Sequence, residues 1–538
     1  MLTDNEGKRL TNVFKVSVVV VLLLVLIGVF FPKEFGNIAG KIANAISVNL
    51  GWYYMIIMTG FIFFCIFLSL SPIGKLKLGK PDEKPEFRTI SWLAMLFSAG
   101  MGIGLVFYGA SEPISHMVNP STGEGGKDQA LEAMRATIMH WGIHAWAAYG
   151  VVALALAYAA FRKEENGLIS KTLRPIFGDK VDGWLGTIID VLAVFATVVG
   201  VAVSLGVGTL QINGGLTYLF GIPNGFSIQL IIIIIVTILF LLSAYTGLSK
   251  GIQLLSNTNM VLAGILFLIV LIVGPTLAIF TMMTTSTGVY LQEFMYQTLD
   301  SGFNNPQKSQ WLQDWTIYYW GWWLSWTPFV GVFIARVSRG RTIREFVLAV
   351  MLVPTLIAIV WFSVFGTTGM NIALQFPGIA ELAPEEQLFA IFDKLPLGTL
   401  LSVIAIFLVA VFFITSADSA TFVLGMQTSN GSLQPSTIMK VIWGISLSAI
   451  AVVLLLAGGE EALSAIQSAA IIAALPFSVV IILMVIAFFK DANNERKYLG
   501  LTIRPDEKQM KEYLSRTPQE HSQDILDYID ETSDQKGI

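Results

Sequence analysis

Cysteine is almost absent: Cys65 is the only one in 538 residues, and it sits in an apolar run. A lone thiol can build neither an internal disulfide nor a cysteine metal site. Charge is scarce as well, at 13% of the chain, where soluble globular proteins carry about 25%. A net charge of −4 offers no basic surface for nucleic acid. No nucleophile–base set and no cofactor motif is visible, and neither the loops nor the polar tail form a separate catalytic domain. These absences point away from an enzyme and from an organic cofactor.

What the chain has in abundance is apolar sequence: 54% hydrophobic residues and a mean hydropathy of +0.70. Runs long enough to cross about 30 Å of hydrocarbon lie near 14–32, 51–71, 89–110, 137–161, 184–211, 227–247, 257–281, 311–335, 346–372, 397–417, 437–457 and 464–489. The pattern predicts an all-α membrane protein of twelve transmembrane helices. The first run is long, lacks a small-x-small exit and is followed by many others, so it reads as a span and not a signal peptide. With the amino terminus inside, the outer segments hold only Lys33, Lys41, Lys127, Arg135, Lys308 and Lys394 of the 33 Lys and Arg. By the positive-inside rule both termini are cytoplasmic.

The chain is expected to divide into an N-tail (1–13), two peripheral helices (14–88), a five-span unit (89–281), an amphipathic surface helix (282–310), a second five-span unit (311–489) and a C-tail (490–538). Span three is interrupted by Gly100-Met101-Gly102-Ile103-Gly104, and span eight is expected to break around Gly321 and Pro328. These interruptions lie five spans apart, and an odd offset inverts the second unit relative to the first. Broken helices at matching positions of inverted repeats point to a midplane binding site.

Residues 315–326 hold Trp315, Tyr318, Tyr319, Trp320, Trp322, Trp323 and Trp326. On a 3.6-residue helix Trp315, Tyr319, Trp322 and Trp326 share a face, with Trp323 on its flank. Such a wall suits a cation without hydrogen-bond donors, such as a quaternary ammonium; the alternative is an interfacial aromatic belt. In span four, Trp141, Trp146 and Tyr149 fall within an arc of about 140° and can face one cavity. His140 and His144, four apart, have metal-ligand spacing but no third ligand, so interface or packing roles are expected. The alternating glycines either open the backbone so that its carbonyls face a cation or substrate, or serve close helix packing. Thr415 and Ser416, at the expected end of span ten, suit a small hard cation, or bond back to their own helix. Asp190 and Asp418 are charged residues in or near spans, functional candidates or helix-end residues.

Several of these stretches together are very specific: Gly100-Met101-Gly102-Ile103-Gly104, Tyr108-Gly109-Ala110-Ser111-Glu112-Pro113, the aromatic run continuing into Pro328-Phe329, Arg336-Val337-Ser338-Arg339-Gly340-Arg341 and Thr415-Ser416-Ala417-Asp418-Ser419. Over spans three to ten the chain resembles the betaine/carnitine/choline transporter family, in particular its sodium-coupled glycine betaine uptake systems of Gram-positive bacteria. The resemblance implies inverted five-helix repeats of the leucine-transporter fold preceded by two extra helices. It implies an ammonium box of Trp141, Trp146, Tyr149 and Trp323, a pathway lined by Trp322 and Trp326, and Ser204, Met101 and Gly102 facing the substrate. One Na⁺ would be held by the backbone of Ser98 and Met101, the Phe412 carbonyl and the hydroxyls of Thr415 and Ser416. A second would rest on Thr197 alone, because Val201 stands where the sodium-coupled relatives have another threonine.

The expected function is Na⁺-coupled symport of glycine betaine across the bacterial cell membrane for osmoprotection, with Na⁺ as coupling ion and the family's homotrimer as the expected assembly. The competing readings are a sodium-independent carnitine or betaine exchanger, uptake of choline or ectoine, and, in a different class, a betaine-binding membrane osmosensor.

Overall fold

The computed structural model describes residues 10–100, 102–246, 249–499 and 523; of residues 97–100, 246, 249–256 and 460 only the backbone is described. The expected site residues Ser98 (its side chain) and Met101 therefore lie outside what is described. The described residues form helices in the order α1 (Asn12–Phe30), α2 (Pro32–Leu70), α3 (Thr89–Gly100), α4 (Ile103–Val118), α5 (Ala130–Trp141), α6 (Ile143–Ala157), α7 (Arg174–Phe177), α8 (Trp184–Phe220) and α9 (Phe226–Thr246). The second half continues with α10 (Ser249–Val273), α11 (Thr276–Leu299), α12 (Pro306–Trp311), α13 (Tyr318–Val337), α14 (Ile343–Gln375), α15 (Pro384–Asp393), α16 (Gly398–Thr428), α17 (Thr437–Gly458) and α18 (Ala462–Tyr498). The only β pairing among them is a single bridge between Lys77 and Thr342.

Among the described residues nine helical stretches, with α5 and α6 counted together as Lys127–Arg162, are long and apolar enough to cross a membrane, or ten with the bent pair α10–α11. Hydrocarbon cannot bond a free N–H or C=O, so an apolar chain there satisfies its backbone internally as helix. The outward faces are apolar too: Leu22, Leu23 and Leu26 on α1 and Ile231, Ile234, Ile235 and Ile238 on α9 are all exposed. A soluble protein does not display such continuous patches.

Two helices break where glycine opens the backbone. Between α3 and α4, Gly102 is extended, with φ −153° and ψ −174°. Span four, expected as one uninterrupted helix, is divided by Gly142, with φ −92° and ψ −137°.

Span eight is corrected in the opposite sense. It is not broken at Gly321 or Pro328, since α13 runs unbroken through both. The Leu324 carbonyl beside Pro328 accepts from the Thr327 hydroxyl at 2.7 Å. Gly321 serves close packing, because a Cβ there would stand 2.9 Å from the Ile471 Cα. The irregularity lies earlier, in a wide π turn at Leu312–Ile317.

Other boundaries differ from expectation. Residues 33–50, outside the predicted spans, belong to the more polar first half of α2, which hydropathy alone does not register. The expected surface helix at 282–310 begins at Thr276, where Gly274 and Pro275 turn the chain by 106°. Helix α16 runs eleven residues past the expected end of span ten, to Thr428, which places Thr415, Ser416 and Asp418 in mid-helix. Helix α18 continues to Tyr498, into what was expected as tail.

Candidate functional site

Six elements meet around one pocket. It is lined by Gly102 and Gly104 at the start of α4, Trp141 at the end of α5, Ala145, Trp146 and Tyr149 of α6, Ser204 of α8, Trp322, Trp323 and Trp326 of α13, and Ser416 of α16, with Ile103 and Leu105. All the expected substrate-facing residues that the structure describes are brought together here. The space open to the centre of a water is about 40 Å³, so the walls stand closed on one another.

The walls are aromatic and interlocked. Trp322 and Trp323 stack at 4.9 Å with planes 14° apart, and Trp141 meets Trp323 edge-on at 4.9 Å. Trp146 and Tyr149 form a second edge-on pair at 5.3 Å, and Tyr149 reaches Trp323 at 6.3 Å. The rings approach α4 closely at Gly104, where a Cβ would lie 2.6 Å from the Trp141 ring and 2.9 Å from that of Trp322. No side chain caps the first turn of α4. Its free N–H groups and the positive end of its dipole therefore remain available to an anionic group.

Three indole N–H groups of α13 are anchored on neutral acceptors. Trp322 donates to Ser204 Oγ at 3.3 Å, Trp326 to the Gly200 carbonyl at 2.8 Å and Trp323 to the His140 carbonyl at 2.8 Å. Trp141 instead donates to a carboxylate, Glu112 Oε2, at 2.7 Å. Glu112 is wholly buried. Its Oε2 also accepts from the Tyr319 hydroxyl, and its Oε1 accepts from His116 Nε2 at 3.1 Å and His140 Nδ1 at 2.7 Å. The two imidazoles are packed among rings: His140 stacks on Tyr319 at 4.8 Å, and His116 meets Trp315 at 4.6 Å.

The expected shared face of span eight is realised in part. Trp315, Tyr319 and Trp322 form a stacked ladder, but Trp315 and Tyr319 stand over the Glu112 cluster while Trp322 and Trp326 reach the pocket. The His140–His144 spacing does not make a shared site. Gly142 breaks the helix between them, and His144 turns away to the Thr298 hydroxyl and stacks on Trp320. Asp190 is a loop anchor, accepting from the Ser170 N–H at 2.9 Å and its hydroxyl at 2.7 Å.

Among the expected ion ligands, Ser416 faces the pocket. Thr415 is bonded back into its own helix, donating to the Val411 carbonyl at 2.9 Å and lying 3.3 Å from that of Phe412. Thr197 bonds back to Ala193 at 2.8 Å and lies against Gln427 of α16, away from the pocket lining. The residue that sequence reasoning passed over is Glu112. Its signal was present, since a carboxylate in an apolar segment is a functional candidate by default.

Long apolar helices with a lipid-facing coat, folded around a buried chamber at a helix break, make this a multi-pass membrane protein. The family described as BCCT, betaine/carnitine/choline family transporter, matches residues 12–497, and the chain belongs to it: it is a transporter and not an enzyme. It is 55% identical over 495 residues to the glycine betaine transporter OpuD of Bacillus subtilis, covering 91% of this chain and 96% of that one. It is 44% identical over 491 residues to an ectoine/hydroxyectoine transporter of Virgibacillus pantothenticus (90% and 97% covered). The betaine/ectoine transporter LcoP of Corynebacterium glutamicum is 39% identical over 494 residues (90% and 78% covered).

Proposed function

We propose that this chain is a Na⁺-coupled symporter that brings glycine betaine into the cell as an osmoprotectant. The observation that carries the reading is the closed aromatic pocket at the α4 break. Trp141, Trp146, Tyr149 and Trp323 would enclose the trimethylammonium, which offers no N–H and is held by ring faces in a desolvated site. The carboxylate would turn to the uncapped N-terminus of α4 at Gly102–Gly104 and the hydroxyls of Ser204 and Ser416. A zwitterion is thus met by π-density at one end and N–H dipoles at the other.

Na⁺ is the co-substrate in this reading. The Phe412 carbonyl and the hydroxyls of Thr415 and Ser416, with the backbone of Ser98 and Met101, supply neutral oxygen donors, which suit a hard cation. Thr197 is the residue for a second Na⁺. The reading includes twelve crossings in two inverted five-span units, with one rocking against the other to alternate access. It places both termini in the cytoplasm. In support, the Lys- and Arg-rich segments assigned to that side meet one another: Leu78 and Arg341 pair through their backbones at 2.8 Å, and Arg162 reaches the Gly79 carbonyl at 2.6 Å. A homotrimer in the cell membrane completes the proposal.

A second reading, ectoine uptake, draws on the 44% identical relative. Ectoine brings N–H donors that need acceptors, and the pocket's side-chain acceptors are the hydroxyls of Ser204, Ser416 and Tyr149. Uptake of labelled glycine betaine into proteoliposomes, with an inward Na⁺ gradient or with K⁺ in its place, and with ectoine, choline and carnitine as competitors, tests the proposal. Uptake that needs no Na⁺ gradient and runs on internal substrate would make it an exchanger. Binding without uptake would make it a sensor.

A further inference from the structure

Glu112 does not line the pocket, yet it is tied to the pocket wall more tightly than any other charged residue described. Four donors converge on its two oxygens: the two imidazoles on Oε1, and Trp141 Nε1 and the Tyr319 hydroxyl on Oε2. An ionised carboxylate is acceptor-only and satisfies all four, whereas a protonated acid would set its own hydrogen against a donor. The Thr316 oxygen lies 2.9 Å from His140 Nε2, within reach for its hydroxyl to donate to a neutral imidazole whose Nδ1–H faces Glu112. Among the described residues the ion-pair partners of Glu112 are these two imidazoles. Arg135, the guanidinium on α5, is bonded to Glu132 at 2.5 Å. The carboxylate is therefore a negative charge held behind an aromatic wall without a permanent cation beside it.

That charge is attached to one ring in particular. The N–H groups of Trp322, Trp323 and Trp326 end on a hydroxyl and two carbonyls, all neutral, while that of Trp141 ends on the carboxylate. An anion on the N–H edge of an indole pushes electron density into the ring and deepens the negative potential of its faces, the quantity that attracts a cation. Glu112 is fully buried, and in a low-dielectric interior the effect is only weakly screened. Resting on the quaternary ammonium reading above, we infer that Glu112 is a positioning and selectivity residue. It holds Trp141 and Tyr319 in place, and through Trp141 it makes the pocket prefer a permanent cation over an uncharged group of the same shape.

The test compares glycine betaine with its carbon isostere tert-butylacetate, and choline with its tert-butyl analogue, by competition binding to the purified full-length protein in liposomes. Removing the charge with Glu112→Gln should weaken betaine and choline about tenfold, less than the loss of a whole desolvated cation–π contact because the ring stays, and change the carbon isosteres by less than about twofold. The preference for the cation then collapses while the shape selectivity stays. Parallel loss for cation and isostere would show a purely structural role and overturn the inference, as would unchanged selectivity. Should Glu112→Gln fail to fold, replacing Trp141 by benzothienylalanine keeps both rings and Glu112 and removes only the N–H. The same loss of cation preference is expected, and its absence overturns the inference. Wild-type binding of choline but not betaine would overturn the betaine reading alone; a wild type that prefers neither cation to its isostere overturns this inference.

Discussion

The indole N–H of Trp323 donates to the backbone carbonyl of His140 at 2.8 Å. His140 is the penultimate residue of α5, just before the break at Gly142. Carbonyls in the last turn of a helix lose their intrahelical partners, so the break that bends span four frees the acceptor that holds the central ring of the box. Through its side chain the same residue contacts Glu112. One local irregularity thus organises both the pocket and the charge behind it.

Trp323→Leu removes a ring and its anchor together. Glycine betaine binding should weaken by about 2 kcal/mol or more, roughly thirtyfold, with folding retained, as read by calorimetric titration beside a thermal melt. Trp323→Phe, which restores the π face, should recover part of the loss. Undiminished affinity in the leucine variant would remove Trp323 from the box.

The two glycines of the α4 start should behave differently. Alanine at Gly104 places its Cβ 2.6 Å from the Trp141 ring, whereas at Gly102 it meets nothing within 4 Å, and the extended φ there suits any residue. Gly104→Ala should raise the KM for betaine strongly, and Gly102→Ala should stay close to wild type. Equal effects in uptake assays would contradict the pocket geometry.

The ion reading is tested by alanine at Thr415 and at Ser416. If both hydroxyls ligate Na⁺, each change should raise the half-saturating Na⁺ concentration for uptake about tenfold, the effect of losing one charge-assisted contact. If Thr415 only bonds back to Val411, Thr415→Ala will leave the Na⁺ dependence untouched.

Arg162 and Glu495 form a buried pair, with Tyr158 donating its hydroxyl to the same carboxylate. Removing one partner leaves a buried unpaired charge, so Arg162→Leu should destabilise by about 3–5 kcal/mol, read as a fall in the unfolding midpoint in detergent. Adding Glu495→Leu should restore part of it. A further fall, with the two losses simply adding, would argue against a coupled pair.

Outside the membrane segments, hydrogen bonding to Arg174 lowers the Asp182 carboxyl from its usual 3.8 to about 2. A lowered folded-state pKa means stabilisation present above the unfolded value and lost as pH falls through the folded one. The melting difference between wild type and Asp182→Asn should therefore hold constant from neutrality to about pH 4 and shrink between about 4 and 2. A difference that changes between pH 7 and 5 would show another group at work.

The membrane class, the family and the candidate pocket residues were legible because each rests on a local property. Apolar runs announce helices, and a dense aromatic run and a glycine triplet are visible as strings. The end of span ten misled because hydropathy cannot see a helix that continues through polar residues, whereas His140 and His144 take the packing roles expected of them, each stacked on a ring of α13. The expected break at Gly321 failed because a glycine can mark close packing as well as a bend, and only the partner, here Ile471, distinguishes them.

By itself the sequence determined that this chain lies in a bilayer as helices and that it carries an aromatic wall, since both follow from composition and short-range periodicity. Only the tertiary structure decided which rings face one another, that Gly142 opens span four, and that Glu112 stands behind Trp141. The contacts among these join residues far apart in the chain: Glu112 and Tyr319 are 207 positions apart, and the acceptor a donor finds across such a distance is set by packing, not by its neighbours in sequence.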